Sequence, residues 1–234
     1  MMISMKGIRT ITVDLDDTLW DLPPIIRRAE RRLHDWLDEN YPRITAQFDA
    51  AAMKAVRKRV VEECAERAHH LTFLRRTVLM HMATAAGYTD FRVDDAFAVF
   101  DEVRNSVDVF PETRPALLAL RERFTLVALT NGNANLEMIG VDDLFDAHVN
   151  AEMAGAAKPN RPIFDAAVRA GGAEAHETVH VGDSPWYDVH GAREAGLRTV
   201  WVNRNGHAWP DEYEAPDAEV AHVGELEALF ACAR

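Results

Sequence analysis

Ile8-Arg9-Thr10-Ile11-Thr12-Val13-Asp14-Leu15-Asp16-Asp17-Thr18-Leu19 is a β-branched run that ends in three carboxylates within four residues. The apolar half reads as a buried strand, central in a parallel sheet. The acidic half is a poor choice for stability alone. Like charges so close must be protonated, neutralised or bridged by a cation. A divalent metal bridging them, with Asp14 as a nucleophile, answers that requirement. At an extended strand end Asp14 and Asp16 point the same way. One carboxylate can then attack phosphorus while the other gives a proton to the leaving oxygen. Taken alone, the same cluster also suits an acidic surface turn.

Directly downstream, Trp20-Asp21-Leu22-Pro23-Pro24 breaks the strand pattern, and the two prolines suit a helix start. From Ile25 to about Val109 helical periodicity takes over. Ile25 to Leu37 puts Ile26, Ala29, Leu33, Trp36 and Leu37 on one face. Ala46 to Ala68 turns Met53, Val56, Val60 and Cys64 inward, and Leu71 to Ala86 offers Leu71, Leu74, Val78, Leu79 and Met82 before Gly87 closes the helix. Val93 to Val107 adds Ala96, Phe97, Phe100 and Val103. Four such helices make a small bundle. The spacing therefore predicts a helical domain over 21–109, inserted into a core formed by 1–20 and 110–234.

After Phe110-Pro111 strands and helices alternate: helix Arg114 to Arg123, strand Thr125 to Leu129, short helix Ala134 to Ile139, short strand Ala147 to Asn150, helix Pro162 to Ala170, strand Thr178 to Val181, helix Tyr187 to Ala195, strand Arg198 to Val202, and a last helix Glu225 to Ala231. Alternation of this kind means an α/β fold, a parallel sheet with helices on both faces. Ligands bind such sheets outside the carboxyl ends of the strands, and the polar motifs sit at those ends. The Thr130 hydroxyl can hold a phosphoryl oxygen, and Asn131 and Gly132 let the backbone approach a ligand closely. Lys158, in Gly155-Ala156-Ala157-Lys158-Pro159, can orient the nucleophile and screen phosphate charge. Asp183 is placed as a Mg²⁺ ligand beside Asp14 and Asp16. Asp188 is either a support behind the metal or a carboxylate favoured by a helix N-terminus. Singly, Thr130 also reads as a turn residue and Lys158 as a surface lysine. His180 reads as a core histidine. Trp20 and Trp186 flank the loops and either pack or stack on a planar substrate ring. Arg27, Arg28, Arg31 and Arg32 lie exposed on the first inserted helix, where one can reach a distal anion.

The net charge of −12 is uneven: residues 21–110 carry 14 Lys and Arg against 15 Asp and Glu, the remainder 12 against 23. An acidic protein is a poor general binder of nucleic acid. No apolar run approaches the roughly 20 residues of a membrane span, and no secretory signal opens the chain. Cys64 and Cys232 read as two free thiols, which fits a cytoplasmic location. A small-molecule partner is expected, with neither nucleic acid nor membrane, and the chain is expected to be a monomer or homodimer.

Taken together, Asp14-Leu15-Asp16-Asp17-Thr18, Leu129-Thr130-Asn131-Gly132, Lys158-Pro159, and Gly182-Asp183 followed by Asp188 resemble the haloacid dehalogenase-like (HAD) hydrolase superfamily. The resemblance implies a Rossmann-like core with a type 1 helical-bundle cap. It implies Asp14 as nucleophile and Asp16 as general acid/base, with the Asp16 main-chain carbonyl meeting the metal. Thr130 and Lys158 then stabilise phosphate and Asp183 binds Mg²⁺. Dehalogenases of the family lack a second aspartate at the position of Asp16 and do not need Mg²⁺, so the resemblance implies a phosphatase. Leu129-Thr130-Asn131-Gly132-Asn133-Ala134 and His180-Val181-Gly182-Asp183 are similar to bacterial phosphatases acting on flavin mononucleotide and the ribitylamino-uracil phosphate precursor of riboflavin. The alternatives are a dehalogenase-type hydrolase and a catalytically silent binding protein on the same scaffold.

Overall fold

The computed structural model describes residues 5–231. The chain divides into two compact units, Met1–Asp21 with Asp108–Arg234, and Leu22–Val107.

The first unit is built on six parallel strands: β1 (Thr10–Val13), β2 (Thr125–Thr130), β3 (Ala147–Asn150), β4 (Thr178–Gly182), β5 (Arg198–Val202) and β6 (Ala218–Val220). Their order is β3-β2-β1-β4-β5-β6. The chain begins mid-sheet, winds outward to β3, then returns and winds the other way. The reversal falls between β1 and β4, the position where loops diverge and leave a ligand crevice at the carboxyl ends. Val13 is level with Ala128 and with Val181, so Asp14 leaves the sheet beside Leu129 and Gly182. All four residues of β1 are buried. Its apolar side chains explain that, but Thr10 and Thr12 need hydrogen-bond partners there. The Thr10 hydroxyl donates to the Gly171 carbonyl at 3.0 Å, and Thr12 meets His180. β6 was not expected from sequence. It is three residues long, and its central Glu219 is exposed, so it carries almost no hydrophobic pattern.

The second unit contains α1 (Leu22–Asn40), α2 (Pro42–Gln47), α3 (Ala50–Glu63), α4 (Leu71–Ala85) and α5 (Val93–Arg104). Ala29, Leu33, Leu37, Ile44, Val56, Val60, Leu74, Leu79, Met82 and Phe100 form its core. The helix expected over 46–68 is three pieces. Phe48-Asp49 interrupts it because Asp49 takes the N-cap role, accepting the Ala52 N–H at 2.8 Å. A further short turn, Ala65–Arg67, follows α3. Leu71, expected inside, is exposed at the start of α4, where the His70 ring accepts the Phe73 N–H. Gly87 adopts φ 75° just beyond α4, the left-handed conformation that ends helices.

Helices α6 (Thr113–Arg121), α7 (Leu136–Ile139), α8 (Ala151–Ala154), α9 (Arg161–Gly171), α10 (Gly191–Glu194) and α11 (Leu226–Ala231) accompany the sheet. Ile163, Phe164 and Ala167 of α9 pack with Val127, Leu129 and Val149. The helix expected over 187–195 begins earlier and changes pitch. Ser184 caps it by accepting the Tyr187 N–H, and residues Pro185–His190 form a wide turn in which the Val189 N–H reaches back five residues to the Ser184 carbonyl. Among the described residues no helix is long and apolar enough to cross a membrane. Cys64 is a free thiol, and Cys232 lies outside the described residues.

Candidate active site

Three strand ends and one loop of the α/β unit converge on a buried ammonium. Lys158 Nζ donates to Asp14 Oδ1 at 2.5 Å, to Asp188 Oδ1 at 2.7 Å and to the Leu129 carbonyl at 3.1 Å. Lys158 is 3% exposed, Asp14 6% and Asp188 2%. Asp14 comes from the end of β1, Leu129 from β2, and Asp188 from the wide turn after β4. Lys158 is therefore no surface lysine. Its loop is tied down by Asn131: Oδ1 accepts the Lys158 N–H at 2.6 Å, and Nδ2 donates to the Lys158 carbonyl at 3.0 Å. The Asn131 side chain thus works as a strap for the lysine loop. The Gly132 N–H is used too, donating to Thr130 Oγ1 at 2.9 Å. That bond leaves the buried Thr130 hydroxyl proton available to an incoming acceptor.

The Thr18 hydroxyl lies between two of the acids, 3.2 Å from Asp14 Oδ2 and 3.4 Å from Asp183 Oδ1. Asp183 is held at its backbone, where its carbonyl accepts the Trp201 indole N–H at 2.7 Å. Asp188 is fully committed: Oδ1 to Lys158 and His180, Oδ2 to the Ser184 N–H at 2.9 Å. It is both things the sequence allowed: a buried carboxylate in the first turn after Ser184 and a support that holds Lys158. Gly182 makes room for it, since a Cβ at that position would stand 2.4 Å from Asp188 Cγ.

Asp16 stands apart. Its Oδ1 accepts the indole N–H of the fully buried Trp20 at 2.8 Å. Asp16 and Trp20 close a tight loop in which the Asp17 N–H donates to the Trp20 carbonyl and Asp17 adopts φ 62°. Trp20 is thus a buried positioning group, unavailable for stacking. Trp186 is exposed and lies parallel to the His190 ring at 4.6 Å, with Tyr213 beside both. Arg27, Arg31 and Arg32 are exposed on α1, and Arg28 donates to the Ser106 carbonyl.

The crowded charges displace one another's ionisation. Burial pushes Asp14 well up; Lys158 pulls it down, and Asp188 and Asp183 push it up again. Burial, with Asp188 and Asp17 adding to it, pushes Asp183 up to about 7. Burial also works against charge on Lys158, but the carboxylates of Asp14 and Asp188 outweigh it and hold the ammonium above its usual value. Asp188 pays the same burial penalty, yet Lys158 and the His180 hydrogen bond hold it well below the usual carboxylate range. One ammonium therefore faces three carboxylates, whose oxygens lie within 4.8 Å of one another. One ammonium cannot neutralise all three, and Asp14 and Asp183, whose ionisation is the disfavoured one, call for a proton or a cation. An all-oxygen donor set with surplus negative charge fits a hard divalent cation.

In the sequence His180 reads as a core histidine; the structure gives both of its ring nitrogens a partner. Strand register sets Thr12 opposite it, and the turn after β4 brings Asp188 back to its other ring nitrogen.

The haloacid dehalogenase-like hydrolase profile matches residues 8–196, and the chain belongs to that family. The chain is 31% identical over 231 residues to the Escherichia coli 5-amino-6-(5-phospho-D-ribitylamino)uracil phosphatase YigB, covering 95% of this chain and 96% of that one. It is 29% identical to a glyceraldehyde 3-phosphate phosphatase of Pyrococcus abyssi, over 83% of this chain and 81% of the relative. Among solved structures, a 2-haloacid dehalogenase from Pseudomonas syringae pv. tomato DC3000 superposes with a TM-score of 0.91 at 38% identity, over 96% of this chain and 98% of that one. A HAD phosphatase from Thermococcus onnurineus shares the fold, with a TM-score of 0.71 at 24% identity over 97% of this chain and the whole of that one.

Proposed function

We propose that this hydrolase cleaves phosphomonoesters through an aspartyl-phosphate on Asp14, with Mg²⁺ as cofactor, and acts on a small phosphorylated metabolite. The observation that carries the reading is the Lys158 ammonium bonded to both Asp14 and Asp188 at the sheet's winding reversal. A lysine so held keeps the nucleophile's carboxylate aimed and meets the anionic phosphoryl group with positive charge.

In the first step an Asp14 oxygen bonds to phosphorus while the ester P–O bond breaks. The leaving alkoxide takes a proton from Asp16, whose indole partner Trp20 fixes where that carboxyl stands. In the second step Asp16 takes a proton from water, and that water displaces Asp14 from phosphorus. The Thr130 hydroxyl donates to a phosphoryl oxygen. Asp14 and Asp183, with the Asp16 main-chain carbonyl, would hold Mg²⁺, which supplies charge neutralisation at the phosphoryl oxygens. The helical unit has the cap role that its place in the chain carries in the family.

The similarity to YigB favours a ribitylaminouracil phosphate, the motif resemblance adds flavin mononucleotide, and the charge of −12 favours a small metabolite over nucleic acid. The 38% identity to a protein described as a dehalogenase favours a second reading, dehalogenation. Asp16 speaks against it, because the family resemblance implies that haloacid dehalogenases lack a second aspartate at that position. A panel of phosphorylated metabolites with and without Mg²⁺, run beside a 2-haloacid, separates the readings. Mg²⁺-dependent phosphate release, lost by several orders of magnitude in Asp14→Asn, is the expected result. Halide release without Mg²⁺ would overturn it.

A further inference from the structure

Behind the reactive ammonium runs a buried chain of side chains that the proposed chemistry does not use. Thr12 Oγ1 lies 2.8 Å from His180 Nδ1, and His180 Nε2 lies 3.0 Å from Asp188 Oδ1, the oxygen that also takes Lys158 Nζ. Thr12 and His180 are fully buried. They face each other across β1 and β4 in register, so the pairing is built by the two central strands and not by a loop. The ring plane is set from another side by Phe164 of α9, edge-on at 5.4 Å and 79°.

The hydrogens in this chain can be assigned from elementary constraints. Asp188 is ionised and only accepts, so the hydrogen between it and His180 is on Nε2. Burial and the neighbouring Lys158 charge disfavour a second ring proton, against the pull of Asp188. A neutral ring with Nε2–H has a bare Nδ1, which must accept. The Thr12 hydroxyl has one hydrogen and two acceptors in reach, Nδ1 at 2.8 Å and the Val179 carbonyl at 3.4 Å. The shorter contact takes it. Every hydrogen then has one place: Thr12 to His180, His180 to Asp188, and the three of Lys158 to Asp188, Asp14 and the Leu129 carbonyl.

We infer that His180 is a positioning residue for the reaction. With its tautomer locked by the Thr12 hydroxyl, it fixes the Asp188 carboxylate and through it the Lys158 ammonium on Asp14. The role parallels the histidine–carboxylate pairs that orient metal ligands, where losing the outer partner costs roughly 10- to 100-fold in activity. A merely space-filling histidine would need neither partner. The inference rests on the reading of Asp14 as nucleophile and Lys158 as its partner, but its first test does not.

Nitrogen-15 spectra of the histidine-labelled protein report the tautomer without turnover. His180 is expected to show a protonated Nε2 and a bare, hydrogen-bonded Nδ1. In Thr12→Val, which keeps the shape of the side chain, the Nδ1 signal should move to that of a bare nitrogen without a donor, and Thr12→Ser should restore it. A protonated Nδ1, or an Nδ1 signal untouched by Thr12→Val, overturns the inference. The second arm is steady-state kinetics on the best phosphomonoester. His180→Leu is expected to lower kcat about tenfold or more with little change in KM, because the ammonium is misplaced in the transition state while the substrate pocket is intact. His180→Gln retains an N–H for Asp188 and should recover most of the loss. Wild-type kcat in His180→Leu, or equal loss in the Gln and Leu variants, overturns the inference. If the wild-type protein hydrolyses no phosphomonoester, the functional reading fails, and the nitrogen spectra still decide the hydrogen-bond assignment.

Discussion

The α/β unit and the helical unit treat charge in opposite ways. In the first, Asp14, Lys158 and Asp188 lie almost wholly out of water, joined by bonds of 2.5 and 2.7 Å. In the second, the ion pairs lie at the surface: Arg57–Glu30, Arg76–Asp94, Arg92–Asp95 and Lys58–Glu62 all involve exposed or half-exposed side chains. Two arginines there are drawn inward: Arg75 rests on the Phe100 ring at 3.4 Å while bonding Glu30, and Arg104 at the end of α5 is buried, but neither is gathered into a cluster of acids like that around Lys158. Taking an ion out of water costs several kcal/mol, whereas an exposed pair is worth about 0–1 kcal/mol. Surface pairs can drift at little cost. A buried cluster of three acids and one base exists only where the fold holds every partner in place. The difference therefore marks where the chemistry sits.

Replacing Lys158 tests that contrast most severely. In Lys158→Met the methylene stem is kept and the ammonium lost, leaving buried carboxylates without their counter-charge. The expected cost is about 3–5 kcal/mol, read by urea denaturation at pH 8. It should shrink at pH 5, where Asp14 and Asp183, both raised in the native protein, can take up protons. A variant as stable as wild type at pH 8 would place the cluster in the same class as the surface pairs.

The metal expectation gives the next largest effect and has a definite sign. Asp183 has a native value of about 7 against an ordinary 3.8. A carboxyl raised on folding binds its proton more tightly in the native state, so its contribution to stability falls as pH rises from about 4 to about 7. Asp14 is shifted in the same direction. Asp188 is shifted the opposite way and loses its contribution only below about pH 4. Between pH 5 and 8 the metal-free protein should therefore lose stability through these two acids. A divalent cation favours their ionised forms and should reverse the trend. The rise in Tm on adding Mg²⁺ is expected to be larger at pH 8 than at pH 5, and Asp183→Asn should flatten the difference. A Mg²⁺ effect independent of pH would show that the cation binds elsewhere.

The same contrast governed what the sequence could reveal. The central strands were readable because β1, β2 and β4 are rich in β-branched residues and buried along almost their whole length, even though Thr10, Thr12, Thr178 and His180 interrupt the apolar run. The strand ends were readable because polar residues directly after such runs have few structural uses. The links between them were not. Asn131 strapping Lys158 and Thr12 meeting His180 depend on which strand lies beside which, and that order appears only in the assembled sheet. Trp20 holding Asp16 and His180 holding Asp188 are local, four and eight residues apart, but depend on how tightly each loop turns. In the helical unit the period showed the inward faces but not the breaks. Asp49 reads as one more polar residue in a helical stretch until its carboxylate is seen capping α3. Leu71 follows the apolar period, yet as the first residue of its helix it is exposed.

The smallest effects belong to the helical unit, and they rank its local features against its ion pairs. Asp49 accepts an N–H that the first turn of α3 cannot otherwise satisfy within the helix, so Asp49→Ala should cost about 1 kcal/mol. Arg57 reaches Glu30 across a solvated surface, and Arg75 bonds the same carboxylate oxygen. Removing Arg57 leaves Glu30 with its more buried partner. Arg57→Ala should therefore cost less than about 0.5 kcal/mol, falling further in high salt. Urea midpoints of the two variants at low and high ionic strength check both the order and its cause. If Arg57→Ala were the costlier and its cost ignored salt, the helical unit would hold a rigid charge network of its own, and the division of labour between the two units would have to be redrawn.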